Sequence, residues 1–210
     1  MSSRAHLPGL AAAALAALAL LAGLIAPSRA SALLELRFVA PPALPPLPAL
    51  TLNGRAQAPA TTMTPFSVED LRLTKSGWNI TAQGQSGTGK SAVFAPYCAK
   101  AKCGSEAEGY VAGGAALPAS SLTLNTSGAS LSGGLGTAPS LECRAGCALD
   151  SPTPVKIASQ GTGLLSGEGL WTTSSFSSNS LAFAAPTTLR ALPDEEIYRL
   201  NVLWTLSTGP

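Results

Sequence analysis

The feature that most limits this chain's fold is the shortness of its apolar segments. From residue 33 onward, hydrophobic and polar positions alternate over short runs, and Gly or Pro interrupts nearly all of them. No stretch there sustains the 3.6-residue period of an amphipathic helix. Alternation with a period of two suits a strand with one buried face, and frequent Pro excludes long helices and central strands. The expectation is an all-β fold, an antiparallel β-sandwich or barrel-like domain.

Individual segments fit that pattern. Residues 33–39 (LLELRFV), 66–73 (FSVEDLRL) and 78–82 (WNITA) read as strands, the last two separated by Lys75-Ser76-Gly77. A proline-rich segment occupies 41–48, and Leu50-Thr51-Leu52 leads into Asn53-Gly54, a dipeptide favoured in tight hairpin turns. Residues 121–124 and 155–157 are short strand candidates, and 94–108 has room for a helical turn or two. Trp171 falls in a Gly/Ser/Thr-rich region read as loop. From Tyr198 to Leu206 one alternating strand places Tyr198, Leu200, Val202, Trp204 and Leu206 on a single face.

Residues 1–30 read differently. Arg4 precedes the Ala/Leu run 9–26, and Pro27-Ser28-Arg29-Ala30 supplies small residues where a signal peptidase cuts. Cleavage after Ala30 or after Ala32 fits equally. An uncleaved anchor is the alternative, but the run is short for a span of roughly 20 residues and Pro27 follows it. The expected localisation is secreted, at the cell surface or wall, with a single domain over 33–210. Removing residues 1–30 takes away Arg4 and Arg29, leaving eleven basic against eleven acidic side chains and no net charge. A neutral chain without a basic run lacks the electrostatic footprint of nucleic-acid binding. The one histidine, His6, leaves with the same segment, and Ser-His or Cys-His catalysis and His-ligated zinc leave with it.

The four cysteines, Cys98, Cys103, Cys143 and Cys147, form two close pairs. In an exported chain an even count reads as disulfides. A four-thiolate zinc site usually shows two-residue spacing within each half, whereas here four and three residues intervene. No metal or cofactor is expected. Three connectivities are open; local pairing is favoured because short loops close at little entropic cost.

Residues Gly84 to Ser91 match the phosphate-loop pattern GxxxxGK[ST]. That loop works between a buried strand and a helix whose first amides cradle phosphate. Here a half-polar strand precedes it and Val93-Phe94-Ala95-Pro96 follows. It reads as a flexible hairpin, with no nucleotide expected.

Two tryptophan motifs stand near the ends of the domain: Gly77-Trp78-Asn79-Ile80-Thr81 and Val202-Leu203-Trp204-Thr205-Leu206. Together with Leu52-Asn53-Gly54 and Phe66-Ser67-Val68-Glu69-Asp70 before the first motif and Leu192-Pro193 to Tyr198 before the second, this order resembles the WxL-type cell-wall-binding domain of Gram-positive surface proteins. The resemblance spans about residues 33–210. It implies non-covalent binding to peptidoglycan or an associated polysaccharide, with other WxL-type surface proteins as further partners and no enzymatic activity. The motif residues Trp78, Ile80, Trp204, Thr205 and Leu206, together with Trp171, are the candidate ligand contacts. Core packing is the competing role for the tryptophans.

Two other functions compete. One is a secreted structural subunit that assembles with other surface proteins through strand edges, without glycan affinity. The other is a histidine-free glycosidase using two carboxylates, drawn from Glu69, Asp70, Glu106, Glu108, Glu142, Asp150 and Glu168. Isolated acids on turns and strand ends are usually solvated surface groups.

Overall fold

A computed structural model describes residues 35–99, 108–163, 168–193 and 196–210, all within the compact unit Leu34–Pro210. The short alternating segments become strands of four antiparallel sheets, and no helix occurs among the described residues. In the first sheet β1 (Leu36–Ala40) pairs with β3 (Ser67–Asp70), then β12 (Gly169–Thr173), then β8 (Leu131–Ser132). The second has β15 (Val202–Thr208) at one edge, then β4 (Trp78–Gly84), β11 (Val155–Gln160) and β9 (Ser140–Leu141). The third runs β10 (Cys147–Ala148), β7 (Leu122–Leu124), β13 (Leu181–Phe183), β2 (Ala60–Thr61). The fourth is smaller: β14 (Glu196–Arg199), β5 (Ala95–Cys98), β6 (Gly109–Tyr110).

Alternation decides which side chains meet in the middle. Trp78, Ile80 and Ala82 point inward from β4, and Asn79, Thr81 and Gln83 between them are partly open. Val68, Leu122, Leu124, Ile157, Trp171, Leu181 and Phe183 join them in one hydrophobic cluster between the sheets, the core of an all-β sandwich. Each such side chain, fully buried, stabilises the fold by about 1.5–3 kcal/mol relative to exposure. The registration of β4 against β15 holds over seven residues without a bulge, from Val202 opposite Gly84 to Thr208 opposite Trp78.

Several sequence expectations change. The 198–206 strand is two strands: β14 joins the fourth sheet and β15 the second, with Leu200-Asn201 between. Its face survives the break, because Tyr198, Leu200, Val202, Trp204 and Leu206 all pack on the core. Trp171 lies in β12 rather than in a loop and is buried. Gly134 explains how: a Cβ there would fall 2.3 Å from the Trp171 ring, so only glycine lets that backbone lie on the indole. Asn53-Gly54 makes no hairpin between adjacent strands. Asn53 Oδ1 instead accepts the Arg55 N–H at 3.0 Å, an Asx turn. Within 94–108 the described residues contain the strand β5 and no helix.

Cys143 and Cys147 form a disulfide with Cα atoms 5.1 Å apart, the local pairing that short loop closure favours. Cys98 is disulfide-bonded as well; Cys103 lies outside the described residues, as do Glu106 and the 1–30 segment.

The carboxyl of Asp150 is fully buried and receives the Ser121 and Leu122 N–H groups at 2.8 and 3.0 Å. Burial raises its pKa, and the backbone N–H donors pull it back only in part. The folded chain therefore takes up this proton more readily than the unfolded one. That contribution is fully present below the ordinary value of 3.8 and is lost as pH rises through the folded value. Relative to Asp150→Asn, wild-type stability should rise as pH falls from 7 to 4. The gain should not exceed about 1.4 kcal/mol per pH unit. Urea unfolding of both proteins at several pH values checks it, and a constant difference between them refutes it.

Candidate functional site

The motif strands lie side by side. Trp204 faces Ala82, Leu206 faces Ile80 and Thr205 faces Thr81 across the β4–β15 ladder. Trp78 and Ile80 are wholly buried, Trp204 and Leu206 are partly buried against the core, and Thr205 is exposed. Of the three tryptophans, then, Trp78 and Trp171 are enclosed by protein and Trp204 alone retains substantial exposure. Two buried polar atoms go unpartnered at the start of β4: Trp78 Nε1 and Gln160 Oε1, on residues directly opposite each other.

Among the described residues, the acids considered for glycosidase chemistry are each engaged separately. Glu69 pairs with Arg37 at 2.7 Å, Asp70 with Arg72 at 2.8 Å, and Glu168 with Lys75. Glu108 accepts the Tyr97 hydroxyl, a bond that raises the Tyr97 pKa. Glu142 accepts from Ser140 and Ser159, and Asp150 is bound by backbone. No cluster of three or more metal-ligating side chains occurs among the described residues.

The phosphate-loop look-alike is a hairpin. Lys90 N–H donates to Gly87 O at 3.0 Å around Thr88-Gly89, and Gly89 takes the positive φ (67°) that the third position of a type II turn requires. Asn201 fastens both sides: its carbonyl accepts Gln85 N–H at 2.7 Å, and its N–H donates to Ser91 O at 2.8 Å. Its Oδ1 takes the Tyr110 hydroxyl at 2.6 Å. The chain then enters β5 instead of a helix. Millimolar ATP should leave the melting temperature unchanged, whereas a ligand at 100 times its Kd would add about 2.7 kcal/mol.

A separate apolar feature lies along β14. Two adjoining cavities of about 660 and 510 Å³ follow it, within the size range of ligand sites. Phe94 and Phe183, in edge-to-face contact with centroids 5.0 Å apart, border this space. One wall is the proline-rich strap, whose Leu44, Leu47 and Leu50 recur every third residue, the polyproline II period, and all pack on the core. The other wall is β14, which contributes Glu196-Ile197-Tyr198 to one cavity and, with Leu200 just after it, Ile197 to Arg199 to the other. Consecutive strand residues point to opposite faces, so a space touching all of them runs along the strand's edge.

Which β14 groups face that space follows from Pro96. Ile197 lies opposite Tyr97 and Tyr198 opposite Pro96. Pro96 O accepts Val111 N–H at 3.0 Å on the β6 side, so Ala95 and Tyr97 face β14 and bond Arg199 and Ile197. The N–H and C=O of Tyr198 therefore point outward, into the slot, and find no partner among the described residues. The strap makes no backbone hydrogen bond to Tyr198, and five of its residues, Pro41, Pro42, Pro45, Pro46 and Pro48, have no N–H to offer. Arg190, exposed and without an ion pair among the described residues, lines the slot near the start of β14. Sequence reasoning missed Tyr198, Phe94 and Arg190 as site residues. The leucine period within the proline run was the available signal.

The chain matches no family model, no curated protein and no solved structure.

Proposed function

We propose that this protein is a non-catalytic, exported surface subunit that assembles with other surface proteins through an exposed strand edge. The observation that carries the proposal is the open slot along β14, where an unpaired backbone edge adjoins apolar cavities. Free edges are normally blunted by charge, proline or a covering segment. Here the neighbouring segment is proline-rich and stands off the edge. A second reading is non-covalent attachment to the wall through the WxL-like motifs. One observation favours it: both motifs lie on neighbouring strands, with Trp204 partly open and Thr205 outward.

Sedimentation separates the two. The assembly reading expects purified protein to be retained by protein-bearing envelopes and not by envelopes treated with protease beforehand. Retention by protein-free wall sacculi would support the wall reading instead. Protein that stays in the supernatant with both preparations refutes both.

A further inference from the structure

We propose that the slot between β14 and the proline-rich strap receives an extended apolar peptide segment, added as a strand to the free edge of β14 and bearing a carboxylate at Arg190. This rests on the assembly reading and names the kind of partner. Three observations converge on it. The Tyr198 N–H and C=O face the slot unpaired, the donor–acceptor couple that one residue of an antiparallel strand satisfies twice over. An acyl chain would fill the same volume but leave both groups unsatisfied in apolar surroundings, at a cost that disfavours it. The cavities lie along the strand and share Leu47, Phe94, Ile197 and Tyr198, so alternate side chains of an added strand enter them in turn.

Charge completes the match. An antiparallel strand runs against β14, so its C-terminal side arrives where β14 begins, beside Arg190 and Leu192. Arg190 has no anionic partner among the described residues, and a carboxylate at that end of the segment pairs with it. Glu196 also borders this cavity and disfavours a second acid further along.

A library of immobilised nine-residue peptides, probed with purified protein, tests the proposal. Enriched sequences should alternate apolar residues and carry Asp or Glu toward the C-terminal end. For the best binder, N-methylation of the one backbone nitrogen opposite Tyr198 should weaken binding at least tenfold, while methylation at neighbouring positions has little effect. Arg190→Glu, at an exposed position and with an unchanged melting temperature, should weaken the acidic peptide at least fivefold and its amide analogue hardly at all. Absence of any enriched peptide overturns the proposal. So does binding that tolerates N-methylation everywhere, or a peptide displaced by laurate with equal ease whether methylated or not, which would assign the slot to amphiphiles. Envelope retention that survives both Arg190→Glu and excess peptide would remove the slot while leaving assembly in place. Loss of retention with Arg190→Glu or with excess peptide supports the slot, and wild-type protein that is never retained by protein-bearing envelopes would remove the assembly reading.

Discussion

Trp78→Ala is expected to lower folding stability by about 3–5 kcal/mol, the range for removing a large aromatic side chain from a core. Trp78 has no exposed surface and stands at the start of the strand that joins β15 to β11. A domain of this size is commonly stable by only about 5–15 kcal/mol, so the variant should be largely destabilised at growth temperature. Trp78→Phe sharpens the reading. It keeps most of the bulk and removes the unpartnered Nε1–H, whose burial without a partner carries a penalty of its own. Its cost should be well below that of the alanine variant. Equilibrium urea unfolding of both proteins decides. Equal losses would mean that the indole nitrogen matters more than the ring. Trp204→Ala, on a partly exposed edge strand, should cost less than Trp78→Ala. A Trp204 variant that keeps its melting temperature while losing wall retention would revive the sugar-platform role.

The second large effect concerns Arg72. Its Nε and Nη2 grip Asp70 Oδ1 and Oδ2, each at 2.8 Å, and Nη2 also donates to Gly77 O at 2.7 Å. Both side chains are almost fully covered, at 11% and 6% exposure. Arg72→Ala leaves the Asp70 charge buried beside an empty space, and breaking such pairs costs about 3–5 kcal/mol. Replacing both partners with apolar residues should recover much of that loss, because the lone charge goes with its partner. A double-mutant cycle over Asp70 and Arg72 measures the coupling. Additive losses would show that the pair contributes only as two independent side chains.

The sequence was most legible where burial is one-sided. Residues 78–82 alternate regularly enough to read as a strand, but period alone left Trp78 and Ile80 open between ligand contact and core, and the fold buries both. The two-residue strands β2, β6, β8, β9 and β10 were not legible, because a pair of residues carries no period. Trp171 misled for a related reason. Its Gly and Thr neighbours resemble loop composition, yet Gly134, far away in sequence, vacates the volume that the indole fills. The slot escaped notice because its site groups are main-chain atoms. Nothing about Tyr198 as a side chain announces an unpaired N–H; that follows from Pro96 lying opposite, a pairing visible only in the folded register.

That β15 lies beside β4 also bears on how the molecule is made. The ladder joins Thr208 to Trp78 and Val202 to Gly84, residues more than a hundred positions apart. Contacts of such separation form late and slowly. A nascent chain that has produced β4 and β11 but not yet β15 presents β4 as a bare, apolar-backed edge, open to intermolecular strand pairing. Holdase chaperones that bind extended chains would be needed most in that interval, and a premature stop before residue 202 should yield aggregate rather than a smaller soluble domain.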